Sequence, residues 1–308
     1  MSLAPEIKAF LEAGAAAGLP QVWEAPLDVI RANTQSRPAL AGPIEDLHEV
    51  INRYIPGPTA DLPIRIYRPD GPANGQTIVY FHGGGWVLNF LDIYDASLSR
   101  LANQSGATII SVNYQKAPEH PFPIPFDDCY STLLWVIDHA TELHCDRNNI
   151  GVAGDSAGAN LAAAVALKAR DQGIALAFQL LIYPCNDRNF ETDSYRDNAT
   201  GYGLSTQAMK WFWDQYLQGD THDANPYAIP ARAKSFDGVA PAIIITAQYD
   251  PLLSDGENYA HLLRNDGVTV SYQSYEGMIH GFFTNLAVTP TARTAIDQVA
   301  ATLKRIKQ

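Results

Sequence analysis

Apolar and polar positions along the chain fall into two alternating kinds of segment. Short, nearly uninterrupted apolar runs recur at residues 76–82 ("QTIVYFH"), 107–114, 149–154, 175–184, 241–250 and 268–277. Each reads as a strand buried on both faces. Between them apolar residues return every three or four positions, over 95–104, 126–139, 157–169, 252–265 and 292–307, which is the helical period. Earlier, "HEVINRYIPG" and "LPIRIYRPDG" alternate like a pair of strands, and the first forty residues read as helices broken near Pro20 and Pro26. Buried strands alternating with helices predict a mostly parallel sheet covered on both sides.

One stretch departs from this rhythm. Residues 187–237 carry no clear strand, but do contain the helical "TQAMKWFWDQYLQG" with Trp211, Phe212 and Trp213. Fifty residues are too many for a simple connection, so the stretch reads as an insertion. Its aromatic residues suit either a cover over a pocket or a helix-packing core.

Composition narrows the classes. The chain has 308 residues and a formal charge of −12, with no Lys/Arg cluster. Nucleic acid and anionic membranes are therefore poor partners. No apolar run is long enough for membrane insertion, and Glu6 and Lys8 interrupt the place where a secretion signal needs its apolar core. Cys129, Cys145 and Cys185 are odd in number and lack metal-ligand spacing. They read as free thiols of a cytoplasmic protein.

The chemistry lies where strands end. "GDSAG" places Ser156 between an apolar run and an alanine-rich helix. A serine hydroxyl needs a base within hydrogen-bond reach, and a tight strand-to-helix turn exposes it while aiming the Ala157 N–H beside it. This is the G-x-S-x-G nucleophile elbow; the bland alternative is a glycine-rich helix start that merely packs closely. "HGGGW", at 82–86, follows another strand. Three consecutive glycines are conformationally costly and suit a backbone that brings N–H groups close to an oxyanion, although a bare turn would also use them. His82 reads as an organiser of that loop. Asp250 and His280 each stand just past a strand, on the same sheet edge as Ser156 and in the order Ser…Asp…His. Asp255, on the next helix, reads as a charge that caps or braces a helix start, cheap to neutralise. His48, His222 and His261 read as exposed.

Together "HGGGW", "GDSAGAN", "YDPLLSDG" and "IHGF" resemble the hormone-sensitive-lipase-like branch of the α/β-hydrolases, the carboxylesterase group called family IV. The resemblance spans nearly the whole chain. It implies an α/β-hydrolase core at 46–186 and 238–308, with a mostly parallel central sheet flanked by helices. A helical cap would form from N-terminal helices at 1–45 and from the insertion at 187–237. It implies Ser156 as nucleophile, His280 as general base, Asp250 as orienting acid, and Gly84, Gly85 and Ala157 as oxyanion donors. The implied activity is hydrolysis of short- to medium-chain carboxylic esters through an acyl-enzyme, with a small-molecule ester as partner and no metal or cofactor. A homodimer is compatible with it. An amide-directed hydrolase and a non-catalytic receptor on the same fold are the rival readings. The segment "NYQKAPEHPFPIPFDDC" resembles a further family segment but begins Asn113-Tyr114-Gln115 where the family commonly has Asp-Tyr-Arg, which removes an expected bracing charge pair.

Overall fold

The computed structural model describes residues 2–219 and 221–306. Its N-terminal part holds α1 (Pro5–Ala17), α2 (Leu27–Asn33) and the short α3 (Pro38–Ala41). Then follow β1 (Glu49–Ile55), β2 (Leu62–Arg68), β3 (Thr77–Phe81), α4 (Asp95–Ser105), β4 (Thr108–Val112), α5 (Ile124–Asp138), β5 (Ile150–Asp155), α6 (Ala157–Asp171) and β6 (Gln179–Ile182). After β6 come α7 (Asp193–Asp197) and α8 (Thr206–Leu217), then β7 (Ala242–Tyr249), α9 (Leu253–Asn265), β8 (Val270–Ile279) and α10 (Pro290–Leu303). The expected end of the last helix at Lys307 lies outside the described residues.

The strands form one eight-stranded sheet in the order β1-β2-β4-β3-β5-β6-β7-β8. β2 runs antiparallel to both its neighbours and the other pairings are parallel. Alternate side chains of β3 explain the layering. Val79 and Phe81 enter a core with α5, α6 and α9, while Ile78 and Tyr80 enter a second core with α1, α4 and α10. The central strands are buried along their whole length, as their unbroken apolar runs require.

Two strands differ from the pattern reading. The run at 175–184 is a regular strand only over Gln179–Ile182; just before it, Ala177 and Phe178 still bond to the β5 backbone and the Phe178 ring packs over Gly151. β8 continues to Ile279, past the expected end at 277. Its pairing with β7 shifts register between Ala247 and Tyr249. A bulge of that kind re-aims the residues at a strand's end, here Asp250.

The described residues of 187–237 contain α7 and α8 and no strand. The α8 aromatics divide by position. Trp213 is wholly buried against Trp86, with ring centres 4.5 Å apart, Phe212 is buried over the glycine loop, and Trp211 is half-buried beside Phe212. Among the described residues, no helix is long and apolar enough to cross a membrane. The three cysteines are unpaired.

Of the glycines, Gly158, where α6 meets β3, leaves the least room. A Cβ added at Gly158 would stand 1.9 Å from the Phe81 carbonyl oxygen, a rigid backbone atom. By contrast Gly14, on the exposed face of α1, has open space around it. Gly158→Ala is therefore expected to lower unfolding stability by about 3 kcal/mol or more, and Gly14→Ala to raise it by about 0.5–1 kcal/mol through helix propensity. Urea titration of both variants checks the pair; equal effects would remove the packing argument.

Candidate active site

Three side chains from three loops meet at the carboxyl edge of the sheet. Ser156 occupies the single-residue turn between β5 and α6, with φ 55° and ψ −121°. That left-handed conformation costs a non-glycine residue about 1–3 kcal/mol. It is held because α6 starts at once against β3. His280 stands immediately after β8 and Asp250 immediately after β7. His280 Nε2 lies 2.9 Å from Ser156 Oγ, and its Nδ1 lies 2.7 Å from Asp250 Oδ2.

These contacts assign the protons. A carboxylate can only accept, so Nδ1 carries the hydrogen and Nε2 presents a lone pair to the serine hydroxyl. Asp250 is fully buried. Its other oxygen accepts the Leu252 N–H at 2.8 Å, and Asn198 Nδ2 donates to its backbone carbonyl at 3.1 Å. The His280 ring rests on Tyr183, with centres 4.6 Å apart. The histidine is thus fixed from both its edge and its face.

The glycine loop lies against this turn. The Gly83 N–H donates to Asp155 Oδ1 at 2.8 Å, and the same carboxylate accepts from Tyr80 OH at 2.9 Å and Tyr94 OH at 3.3 Å. Burial pushes the Asp155 pKa up to about 6, opposed by those donors, so at neutral pH the group is an anion that needs all three. Among the described residues, the N–H groups of Gly84, Gly85 and Ala157 have no acceptor. Buried backbone donors such as those of Gly85 and Ala157 are rarely left so.

His82 is wholly buried, stacked on Tyr114 at 4.5 Å, with Nδ1 2.8 Å from the Gly83 carbonyl oxygen. Burial first, then the charge of Lys116, lowers its pKa to about 3. It is a neutral brace of the loop. The segment at 113–116 is braced without the expected charge pair. Gln115 donates its backbone N–H to Asp128 at 2.9 Å and Lys116 Nζ donates to Asn113 Oδ1 at 2.6 Å, while Tyr114 OH donates to the His82 carbonyl at 2.8 Å. His222, expected on the surface, is half-buried edge-on to Phe122 at 4.9 Å. Among the described residues, no group of three or more His, Cys, Asp or Glu side chains is arranged to hold a metal ion.

A family model described as the α/β hydrolase fold matches residues 78–284, two-thirds of the chain. The chain belongs to the α/β-hydrolase family. The carboxylic ester hydrolase LipN of Mycobacterium tuberculosis is similar to it at 37% identity over 252 residues, 79% of this chain and 66% of that protein. An arylesterase of Saccharolobus solfataricus is 33% identical over 307 residues, 99% of each chain. Among solved structures, the ester-hydrolase EH1AB1 from the metagenome of Lake Arreo, complexed with a bipyridine phosphonate derivative, superposes with a TM-score of 0.94 at 37% identity, over 98% of each chain.

Asp255 of this α/β-hydrolase corrects the sequence reading. It does occupy the first turn of α9, but it is only 2% exposed and no cation pairs with it among the described residues. Its backbone position was legible; its inward direction depends on how α9 packs. Burial, reinforced by the Asp187 carboxylate, pushes its pKa well above the usual 3.8. In its uncharged form, which the shift favours, the acid brings no dipole energy. A raised folded-state pKa means the stabilisation is complete below about pH 4 and is lost as pH rises, at about 1.4 kcal/mol per pH unit until the folded pKa is reached. Asp255→Asn removes that loss. Its stability relative to the parent should therefore grow between pH 4 and pH 8, with the triad geometry untouched. Thermal melts at the two pH values check the sign, and an advantage that shrinks with pH would contradict a neutral, buried Asp255.

Proposed function

We propose that the protein is a serine carboxylesterase acting on short- to medium-chain carboxylic esters, with Ser156 as nucleophile, His280 as general base and Asp250 as orienting acid. The observation that carries this is the continuous hydrogen-bond chain Asp250–His280–Ser156 beside unpaired backbone donors. In the reading, His280 Nε2 takes the Ser156 proton as Oγ bonds to the ester carbonyl carbon. The carbonyl oxygen becomes an anion, received by the N–H groups of Gly84, Gly85 and Ala157. Collapse breaks the bond to the alcohol oxygen, which leaves with the proton from His280. Water then repeats the two transfers and releases the acid. Asp250 keeps Nδ1 protonated and stabilises the imidazolium. The esterases among its relatives support ester over amide as substrate.

The same reading takes residues 1–45 and 187–237 as a cap and the acyl chain as lying beneath α8. What supports it is the position of Phe212, whose ring would meet a Cβ on Gly85 at 2.1 Å. The ring therefore lies directly on a proposed oxyanion residue. The reading also includes the cytoplasm as location and a homodimer as the assembly, which light scattering in solution tests.

A fluorophosphonate should label the protein once, and Ser156→Ala should abolish labelling while leaving the circular dichroism unchanged; persistent labelling would put the nucleophile elsewhere. Asp250→Asn is expected to lower kcat on p-nitrophenyl acetate by about 10⁴, the scale of losing the correct tautomer, with KM little changed. Phe212→Ala should move the preferred acyl chain to greater length on a p-nitrophenyl ester series. An unchanged length profile in the folded variant would take Phe212 out of the acyl site.

A further inference from the structure

The glycine loop is built from backbone that does not hold its own shape. Gly84, Gly85 and Trp86 are consecutive left-handed residues, at φ 115°, 60° and 59°, and Asn89 follows at φ 70°. Conformations of this kind persist only where the surroundings over-determine them. Towards the sheet and α8 the surroundings are dense. Asp155 at the end of β5 holds the Gly83 N–H, and the Trp86 ring is stacked on Tyr216 of α8 at 4.3 Å.

The other side is different. Residues Val87–Asn89 border a cleft of about 780 Å³ that separates them from the N-terminal segment. The side chains of Val87 and Leu88 are buried in the core that also takes Ile30 of α2, while the backbone polar groups facing the cleft are held by discrete bonds. The Val87 and Leu88 N–H groups turn back to the Gly84 carbonyl at 3.1 and 2.8 Å, which couples the position of Val87 to the peptide plane between Gly84 and Gly85. That plane carries the Gly85 N–H.

Arg31 spans the gap. From α2 its Nε donates to the Val87 carbonyl at 3.0 Å and its Nη2 to the Ala117 carbonyl at 3.0 Å. The guanidinium plane is fixed by Glu119, which accepts from Nη1 at 2.7 Å and Nη2 at 2.8 Å. Ala117 in turn donates to the Trp86 carbonyl at 3.0 Å. One side chain therefore joins both of the backbone segments that flank the loop. A second contact comes from Arg37, whose Nη1 donates to Asn89 Oδ1 at 3.3 Å, while Asn89 Nδ2 donates to the Gly83 carbonyl at 3.3 Å.

We propose that Arg31 is a positioning residue for the oxyanion-binding loop, so that the N-terminal segment, besides covering the site, sets the direction of the Gly84 and Gly85 N–H groups. This rests on the esterase reading of the site. It assigns to Arg31 an effect on the transition state, where the oxygen carries its charge, and little effect on ester binding. Loss of the clamp should thus lower kcat and leave KM in place.

Arg31→Gln, Arg31→Lys and a control, Arg53→Gln, which breaks a surface ion pair with Glu142 away from the loop, would be compared with the parent. Two quantities are read: kcat on p-nitrophenyl acetate per fluorophosphonate-titrated site, and hydrogen exchange of the backbone amides at 83–90. For Arg31→Gln the expected result is a tenfold or greater fall in kcat per site, KM within twofold, and exchange at 83–90 at least tenfold faster. Arg31→Lys should fall between it and the parent, and Arg53→Gln should match the parent. Either quantity staying within twofold of the parent in folded Arg31→Gln overturns the proposal. So does a loss of activity accounted for by fewer titrated sites. Should Arg31→Gln not fold, Arg31→Lys decides: threefold changes in both quantities support the clamp, and parental values overturn it. Absence of Ser156-dependent turnover in the parent would sink the esterase reading instead, and the exchange comparison would still decide whether Arg31 holds the loop.

Discussion

The carboxylate of Asp155 is the point on which the site's geometry depends. It belongs to the last residue of β5, one position before Ser156, yet it bonds to Gly83 of a different loop. The serine turn and the glycine loop are therefore tied to one another by a charged hydrogen bond of 2.8 Å, in addition to the packing of α6 on the end of β3. Charge-assisted bonds are the stronger kind, and burial removes the water that would compete. The same burial raises the group's pKa to about 6, so the anion is held at a cost. Tyr80 and Tyr94 offset part of that cost by donating to it. Replacing either donor would weaken a link that neither tyrosine makes directly.

Around this link the titratable groups divide by charge state. His82 is kept neutral by burial and by the neighbouring Lys116, which suits a brace bonded to the Gly83 carbonyl oxygen. Burial, reinforced by Asp187, pushes Asp255 toward its uncharged form. In that form the interior beside Asp250 holds one less negative charge. A second carboxylate there would alter the field along the Asp250–His280 pair, because unscreened charges interact strongly where water is excluded.

The sequence was informative where a property belongs to one segment. Unbroken apolar runs marked β3, β4, β5 and β7, and the residues just past strand ends marked Ser156, Asp250 and His280, which the structure brings within hydrogen-bond distance of one another. It was uninformative where a property arises between segments. Nothing local in "GDSAG" shows that Asp155 collects donors from Tyr80, Gly83 and Tyr94. Nothing in "LDVIRAN" shows that Arg31 reaches Val87, 56 residues on. Asp255 failed for the same reason: its place in the first turn of a helix was legible, but which face of that helix is buried depends on the sheet beneath it. Phe178 and Phe212 show the converse use of glycine. Each ring occupies space that only a missing Cβ leaves free, at Gly151 and Gly85, and neither pairing is visible from spacing.

The glycine loop also explains why segments as distant as α2 and α8 converge on one place. A run of left-handed residues gains freedom to aim its N–H groups and loses the ability to hold them still. Rigidity has to come from outside. Phe212 and the stacked Trp86–Tyr216 pair provide it from α8, Asp155 from β5, and Arg31 from α2. These restraints act on different atoms of the loop, so they can move independently in evolution or in a variant. A change in α8 would alter the space over Gly85 and its packing, whereas a change in α2 would alter the backbone that orients the same residue. Under the cap and oxyanion roles proposed above, the covering segments and the anion receptor are one mechanical unit, and the shape of the pocket cannot be varied without some effect on the aim of the N–H groups.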